Sequence, residues 1–174
     1  MSKPCDLSLT AYDVRSALEY DPISGIFTWR TRADRSAYWN RRFAGRQAGV
    51  FNSEGYIGIT LNDRLYLAHR LAWIFVYSEW PAGRIDHIDG VPSNNAIANL
   101  RVANQTQNNA NMRRTARNTS GFKGVSRLAS GSWGAWIKVH GKSKNLGTFS
   151  TPESAHAAYV SEAKKAFGDF ARAE

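Results

Sequence analysis

An acid and an imidazole stand side by side at Asp86-His87, at the end of the alternating run Gly83-Arg84-Ile85-Asp86-His87. A carboxylate offers a hard cation an oxygen ligand, and a neutral imidazole beside it offers a base. Together they are the least that metal-assisted attack of water on a phosphate requires. Two amides follow, Asn99 twelve residues after His87 and Asn108 nine after that. The run to His87 predicts a strand, Asp89-Gly90 with Val91-Pro92-Ser93-Asn94-Asn95 a turn and loop, and Asn99 through Val102 a returning strand. Asn104 is placed to cap a helix with Asn108 one turn in. Two strands crossed by one helix would gather Asp86, His87 and Asn108 around one point. Against this, Asp-His pairs arise by chance, and a His at a strand end is commonly a satisfied surface or core residue.

The rest of the chain must position these groups. At 174 residues with 43% hydrophobic content, it is long enough for one domain or two small ones with real cores. In the N-terminal segment, Leu9, Val14, Ala17 and Leu18 recur at helical spacing, with Ser8 or Thr10 as cap; residues 21–25 read as a turn and 26–29 as a short strand. Residues 30–49 carry six arginines against the single acid Asp34, with Tyr38 and Trp39 interleaved. This predicts a loop or hairpin arm lying along a polyanion, or simply an exposed loop, with Arg41 and Arg42 as phosphate contacts. A hairpin follows over 50–67 with Asn62-Asp63 at its turn. His69 through Tyr77 reads as a buried helix, with His69 and Arg70 at its start.

Charge narrows the partner. The net charge is +9, and no acidic residue lies between Asp89 and Glu153, a window that holds nine lysines and arginines. Such a one-signed surface suits phosphates and predicts steeply salt-dependent binding, unless it is merely a solvated face. There is no apolar run of membrane-spanning length and no leader-like start at Met1, so the expectation is a soluble, cytoplasmic protein without a membrane partner. The lone Cys5 rules out an internal disulfide and a Cys-type zinc site.

The phrase D-H-I-D-G, then N-N, then N-L-R, then Asn at the helix position, resembles the HNH nuclease motif in the form found in phage and intron homing endonucleases, where Asn replaces the final His. The phrase Y-D-P-x-S-G-x-F-T-W is similar to the leader of many phage HNH proteins. The resemblance implies a ββα-metal fold. It implies that Asp86 and Asn108 are ligands of one divalent metal, Mg²⁺ or Mn²⁺, that His87 is the general base, and that Asn99 ties the loop and orients the histidine. Asp89 and Arg101 are assigned to holding the loop.

After Met112 the stretch R-R-T-A-R-N-T-S-G is small, polar and basic, and residues 113–121 read as a linker. Three strands and an amphipathic helix are expected beyond it, with Trp133, Ala135, Ile137 and Val139 on one face of the middle strand. The phrases K-G-V-S, W-x-A-x-I-K-V, N-L-G-T-F and T-P-E-S-A-H-A-A-Y resemble the plant ethylene-response-factor DNA-binding domain of the AP-two type. That family's outer sheet face reads the major groove, which nominates Lys123, Ser126, Trp136, Lys138, Ser143 and Asn145. Ser126, Ser143 and Asn145 stand where the family usually carries Arg and an outer Trp, so the bidentate fork for guanine is missing. Arg113, Arg114, Arg117, Arg127 and Lys144 are the further basic contacts expected to meet DNA.

The combined expectation is an α+β chain: an HNH nuclease domain over 1–112, a linker over 113–121, and a three-stranded antiparallel sheet with one helix over 122–174. Its function would be metal-dependent hydrolysis of double-stranded DNA, nicking if the protein is a monomer, which is favoured, with a dimer able to cut both strands. The rival expectations are a DNA-binding regulator and a phage packaging-associated protein with little cleavage activity.

Overall fold

The computed structural model describes residues 8–114 and 118–173. Helix α1 (Ala11–Ala17) opens at Thr10, whose hydroxyl accepts from the Asp13 amide while the Asp13 carboxylate accepts from the Thr10 amide. This reciprocal cap satisfies two donors that a helix start leaves open. Strands β1 (Leu18–Tyr20) and β2 (Phe27–Trp29) pair antiparallel across the turn at 21–25. Where the sequence predicted an arginine-rich loop or hairpin arm, the chain instead forms α2 (Ala37–Phe43). Ser36 caps it through the Trp39 amide, and the Trp39 ring packs on Trp29 and Phe43. Tertiary packing sustains this short helix, which would be marginal alone.

Strands β3 (Val50–Phe51), β4 (Ile57–Leu61) and β5 (Arg64–Leu67) form an antiparallel sheet in that order. Asn62 and Asp63, at φ of 49° and 59°, make the two-residue turn of the β4–β5 hairpin. Helix α3 (Ala68–Tyr77) lies on this sheet and on α1. Leu71, Ala72 and Ile74 are buried with Val14, Leu18, Ile59 and Leu61, while Trp73 and Phe75 pack at the edge. Each large aliphatic side chain so buried contributes roughly 1.5–3 kcal/mol. Strands β6 (Arg84–His87) and β7 (Leu100–Ala103) pair with each other, and the loop between them contains a 3₁₀ turn, Ile97–Asn99. Helix α4 (Gln105–Asn111) follows, capped reciprocally by Asn104 and Gln107.

The chain divides into two compact units, Met1–Val102 and Ala103–Glu174. The division thus falls ahead of α4, where the sequence placed it after Met112. Within the second unit α4 packs on the C-terminal elements, and its Ala110 carbonyl accepts from Lys123 Nζ at 2.6 Å and from the Arg172 amide at 3.4 Å. Here β8 (Val125–Arg127), β9 (Trp133–Val139) and β10 (Lys142–Phe149) form an antiparallel sheet in the order β10-β9-β8, followed by α5 (Pro152–Phe167). Thr151 caps α5, and Pro152 sits where a helix tolerates it. Ala135 and Ile137 of β9 meet Ala155, Tyr159 and Ala163 of α5 in the core, flanked by Trp133 and Val139. Among the described residues no helix is long and apolar enough to cross a membrane.

Candidate active site

Strand β6 is buried from Ile85 to His87, so it delivers a carboxylate and an imidazole into the interior edge of the first unit. Asp86, 5% exposed, accepts from Arg101 Nε on β7 at 2.9 Å. The sequence assigned Arg101 to the loop; the structure places it on the carboxylate instead. This pairing fixes the orientation of Asp86.

His87 is 6% exposed, and its Nε2 lies 3.3 Å from Asn95 Oδ1. Burial lowers its pKa, against the opposing pull of the Asn95 contact, Asp89 and Asp86. Two further rings adjoin it: His69 of α3, edge-on with centroids 5.1 Å apart, and Tyr56, at 5.8 Å. Tyr56 also packs on His69 at 5.5 Å. Burial, then the neighbouring His87 and Arg70, press the His69 pKa down to about 3. Both shifts favour the uncharged imidazole, a form in which the two rings lie together without like-charge repulsion.

The loop is built to present Asn95. This side chain is 1% exposed; its Nδ2 donates to Ser93 O at 3.2 Å, and its backbone carbonyl accepts from the Tyr20 hydroxyl at 2.7 Å. Gly25, at φ +72°, lets the 21–25 turn press against Asn95 and Ala96, where any Cβ would collide with their backbone. Asn99 ties the loop from the other side. Its Oδ1 accepts from the Asp89 amide at 3.0 Å, and its Nδ2 donates to Asp89 Oδ1 at 3.0 Å and to Asn94 O at 2.8 Å. Asp89 in turn accepts from the Val91 amide and the Asn94 side chain. Burial alone would raise the Asp89 pKa, but these donations outweigh it and hold it below the usual range. Asn95 Oδ1 stands 3.3 Å from His87 Nε2, where the sequence had given the orienting role to Asn99. Sequence reasoning also missed Tyr56 and the closeness of His69; the adjacent Asn94-Asn95 pair was the one signal available.

Asn108 lies on α4 in the second unit, half-buried, its amide donating to Asn104 O at 2.9 Å. Among the described residues no group of three or more His, Cys, Asp or Glu is assembled to hold a metal. A hard cation that keeps several waters binds through one or two carboxylates plus phosphate, and Asp86, buried beside His87, is a carboxylate that could supply such an oxygen.

The nominated DNA contacts separate into two groups. Cross-strand register puts Ser126 and Thr148 opposite Gly134, Asn145 opposite Trp136 and Ser143 opposite Lys138, so these share the face of the sheet turned away from α5. The Trp136 indole covers Gly134, where a Cβ would strike its six-membered ring. Asn145 Oδ1 accepts from the Gly147 amide at 2.8 Å at a bulge. Lys144 is on the other face, opposite Ile137, and its ammonium pairs with Glu162 of α5 at 2.7 Å. Lys123 points inward: its Nζ donates to the carbonyls of Ala110 and Met112, both at 2.6 Å, and burial followed by the Arg172 charge lowers its pKa to about 8. Arg127 is exposed and lies over Trp133, 5.9 Å from the ring centroid. Arg41 and Arg42 are exposed on α2, Arg42 against Phe43; Arg113 and Arg114 are exposed after α4. Arg117 lies outside the described residues.

Comparison with known proteins addresses part of this chain. It is similar to Protein 3.8 of Escherichia phage T7, with 39% identity over 80 residues; the match takes in 45% of this chain and 66% of that relative's length. No solved structure gives a significant match. The stretch that carries His69, Asp86, His87, Asn95 and Asn99 is more telling, for residues 66–110 match the family model of the HNH endonucleases.

Proposed function

We propose that this protein is a DNA endonuclease that hydrolyses a phosphodiester with the help of one divalent cation, Mg²⁺ or Mn²⁺. The observation that carries the reading is the His87 imidazole, buried, held toward its uncharged form by that burial and tethered to Asn95 beside Asp86, inside the stretch that matches the HNH model. On this reading Nε2 donates to Asn95 Oδ1, which puts the lone pair on Nδ1. Nδ1 then takes the proton of the attacking water, and the carboxylates of Asp86 and Asp89 favour the imidazolium that results. Arg101 fixes the orientation of Asp86, which would hold the ion. The ion, when bound, supplies Lewis-acid polarisation of the phosphate and offsets charge on the departing 3′ oxygen. The products on this reading are a 5′ phosphate and a 3′ hydroxyl.

DNA is held, in the same proposal, by the outward face of the second unit's sheet through Trp136, Lys138, Ser143 and Asn145, with exposed arginines of α2 on the first unit. The acid-free stretch between Asp89 and Glu153 supports this. One observation favours a second reading, a regulator or packaging-associated protein that binds without cutting: Asp86 is already ion-paired with Arg101. The two readings separate with His87→Ala. The endonuclease reading expects DNA affinity in EDTA within a few-fold of the parent while cleavage disappears and, for the parent, product ends that ligase rejoins. A His87→Ala protein that cuts as fast as the parent would end it.

A further inference from the structure

Apart from the His87 centre, the first unit carries a concave aromatic site that the cleavage chemistry does not use. A cavity of about 260 Å³ opens beside α2. Trp29 and Trp39 meet edge to face there with centroids 5.5 Å apart, and Phe43, one turn along the helix from Trp39, adds a third ring at 5.1 Å. All three rings line the cavity and remain partly open to it.

The polar lining is as specific as the rings. Arg32 forks onto Asp34 through Nε and Nη2, at 3.0 and 2.6 Å. Arg35 lies over the Trp39 ring, 5.8 Å from its centroid, and its Nε stands 3.8 Å from the same Asp34. That Nε–H is buried and makes no hydrogen bond. Asp63, in the β4–β5 turn, lines the cavity as well. Asp34, outside the lining, engages both guanidiniums, and Asp63 lies within it, so a free anion gains little there. A neutral planar ring with a polar edge gains stacking surfaces and a carboxylate acceptor in Asp63. Cavities for drug-sized ligands run from roughly 300 Å³ upward, so this one suits a single ring system.

We propose that this cavity takes one unpaired nucleobase of the DNA substrate, stacked on Trp39 with its edge met by Asp63. The assignment rests on the endonuclease reading, because it names a feature of the DNA that such a protein would engage. Aromatic stacking accepts any base, whereas Asp63 favours a base with an exocyclic amine, such as cytosine, over thymine.

The test is fluorescence anisotropy of the full chain, in EDTA, with labelled duplexes that differ only at one position: fully paired, one unpaired cytosine, one unpaired thymine, or an abasic bulge. The expected result is binding of the cytosine bulge roughly tenfold tighter than the abasic bulge, a gap retained in Trp39→Phe and lost in Trp39→Ala. Equal affinity for the two bulges in the parent, or an unchanged gap in Trp39→Ala, overturns the proposal. Should Trp39→Ala fail to fold, Asp63→Asn decides: the preference for cytosine over thymine falls if the cavity reads the base, and its persistence overturns the proposal. Because binding is read without metal, a protein that shows the base preference but leaves plasmid uncut refutes the endonuclease reading alone, and one that cuts plasmid without the preference refutes the cavity alone.

Discussion

Lowering the pH from 7 to 5 should weaken the folded protein by about 2 kcal/mol through His69 alone. In the native state this imidazole is 6% exposed and faces His87, Tyr56 and Arg70, and its pKa is pressed from 6.5 to about 3. Below pH 6.5 the unfolded chain binds a proton that the folded chain refuses. Stability is therefore lost as pH falls from 6.5 and the loss levels off near 3. Each pH unit within that window costs about 1.4 kcal/mol, which gives about 2 kcal/mol at pH 5. His87, also lowered, adds to the same slope. The carboxylates with depressed pKa in this unit, Asp13, Asp21, Asp34 and Asp89, lose their contribution only at lower pH, below the ordinary carboxylate value of 3.8. The interval from 6.5 to 5 thus isolates the imidazoles. Urea unfolding followed by tryptophan fluorescence at a series of pH values reads the slope, with His69→Phe as the comparison because it keeps a ring against Tyr56 and His87. The variant should lose about 2 kcal/mol less than the parent between pH 7 and 5. Identical pH profiles would refute the account of a neutral, desolvated His69.

Other outcomes follow from single contacts. Asn95→Ala removes the group that holds the His87 ring, and cleavage should fall roughly 10- to 100-fold while DNA affinity in EDTA stays unchanged; equal rates would return the orienting role to another residue. Asn99→Ala breaks three loop hydrogen bonds and should cost about 2–3 kcal/mol in denaturant unfolding. Lys123→Met should destabilise the second unit by about 1–2 kcal/mol, since the Ala110 and Met112 carbonyls lose the ammonium between them, yet leave the salt dependence of DNA binding as it was. Lys138→Ala should reduce the slope of log affinity against log salt by about 1 if its ammonium meets a phosphate.

Much of the fold was legible because its signals are local. Thr10 and Asn104 announce their helices by reciprocal capping, Asn62-Asp63 supplies the left-handed pair that a tight hairpin needs, and period-two alternation in β9 separates Ala135 and Ile137 from Trp136 and Lys138. The adjacency of Asp86 and His87 on a strand was legible for the same reason. What stayed hidden depends on residues distant in sequence. The density of arginine in 30–49 suggested an open arm, but Trp39 finds Trp29 and the segment closes into a helix. Lys123 and Lys144 counted as basic contacts until a helix end and Glu162 claimed their ammonium groups. Nothing in the spacing told Asn95 from Asn99 as the partner of His87, because that choice is made by a loop pinned from outside by Gly25 and Tyr20.

The central claim is that His87 makes this chain a metal-assisted nuclease, and supercoiled plasmid tests it most directly. The parent and the His87→Ala protein are incubated with Mg²⁺, with Mn²⁺ and with EDTA, and the topological forms are resolved on a gel. The account predicts conversion to open circles by the parent with either metal, none in EDTA, and none by His87→Ala under any condition; direct linearisation would indicate paired active sites. Plasmid that is bound by the parent yet stays supercoiled with both metals would contradict the account and leave a DNA-binding protein in its place.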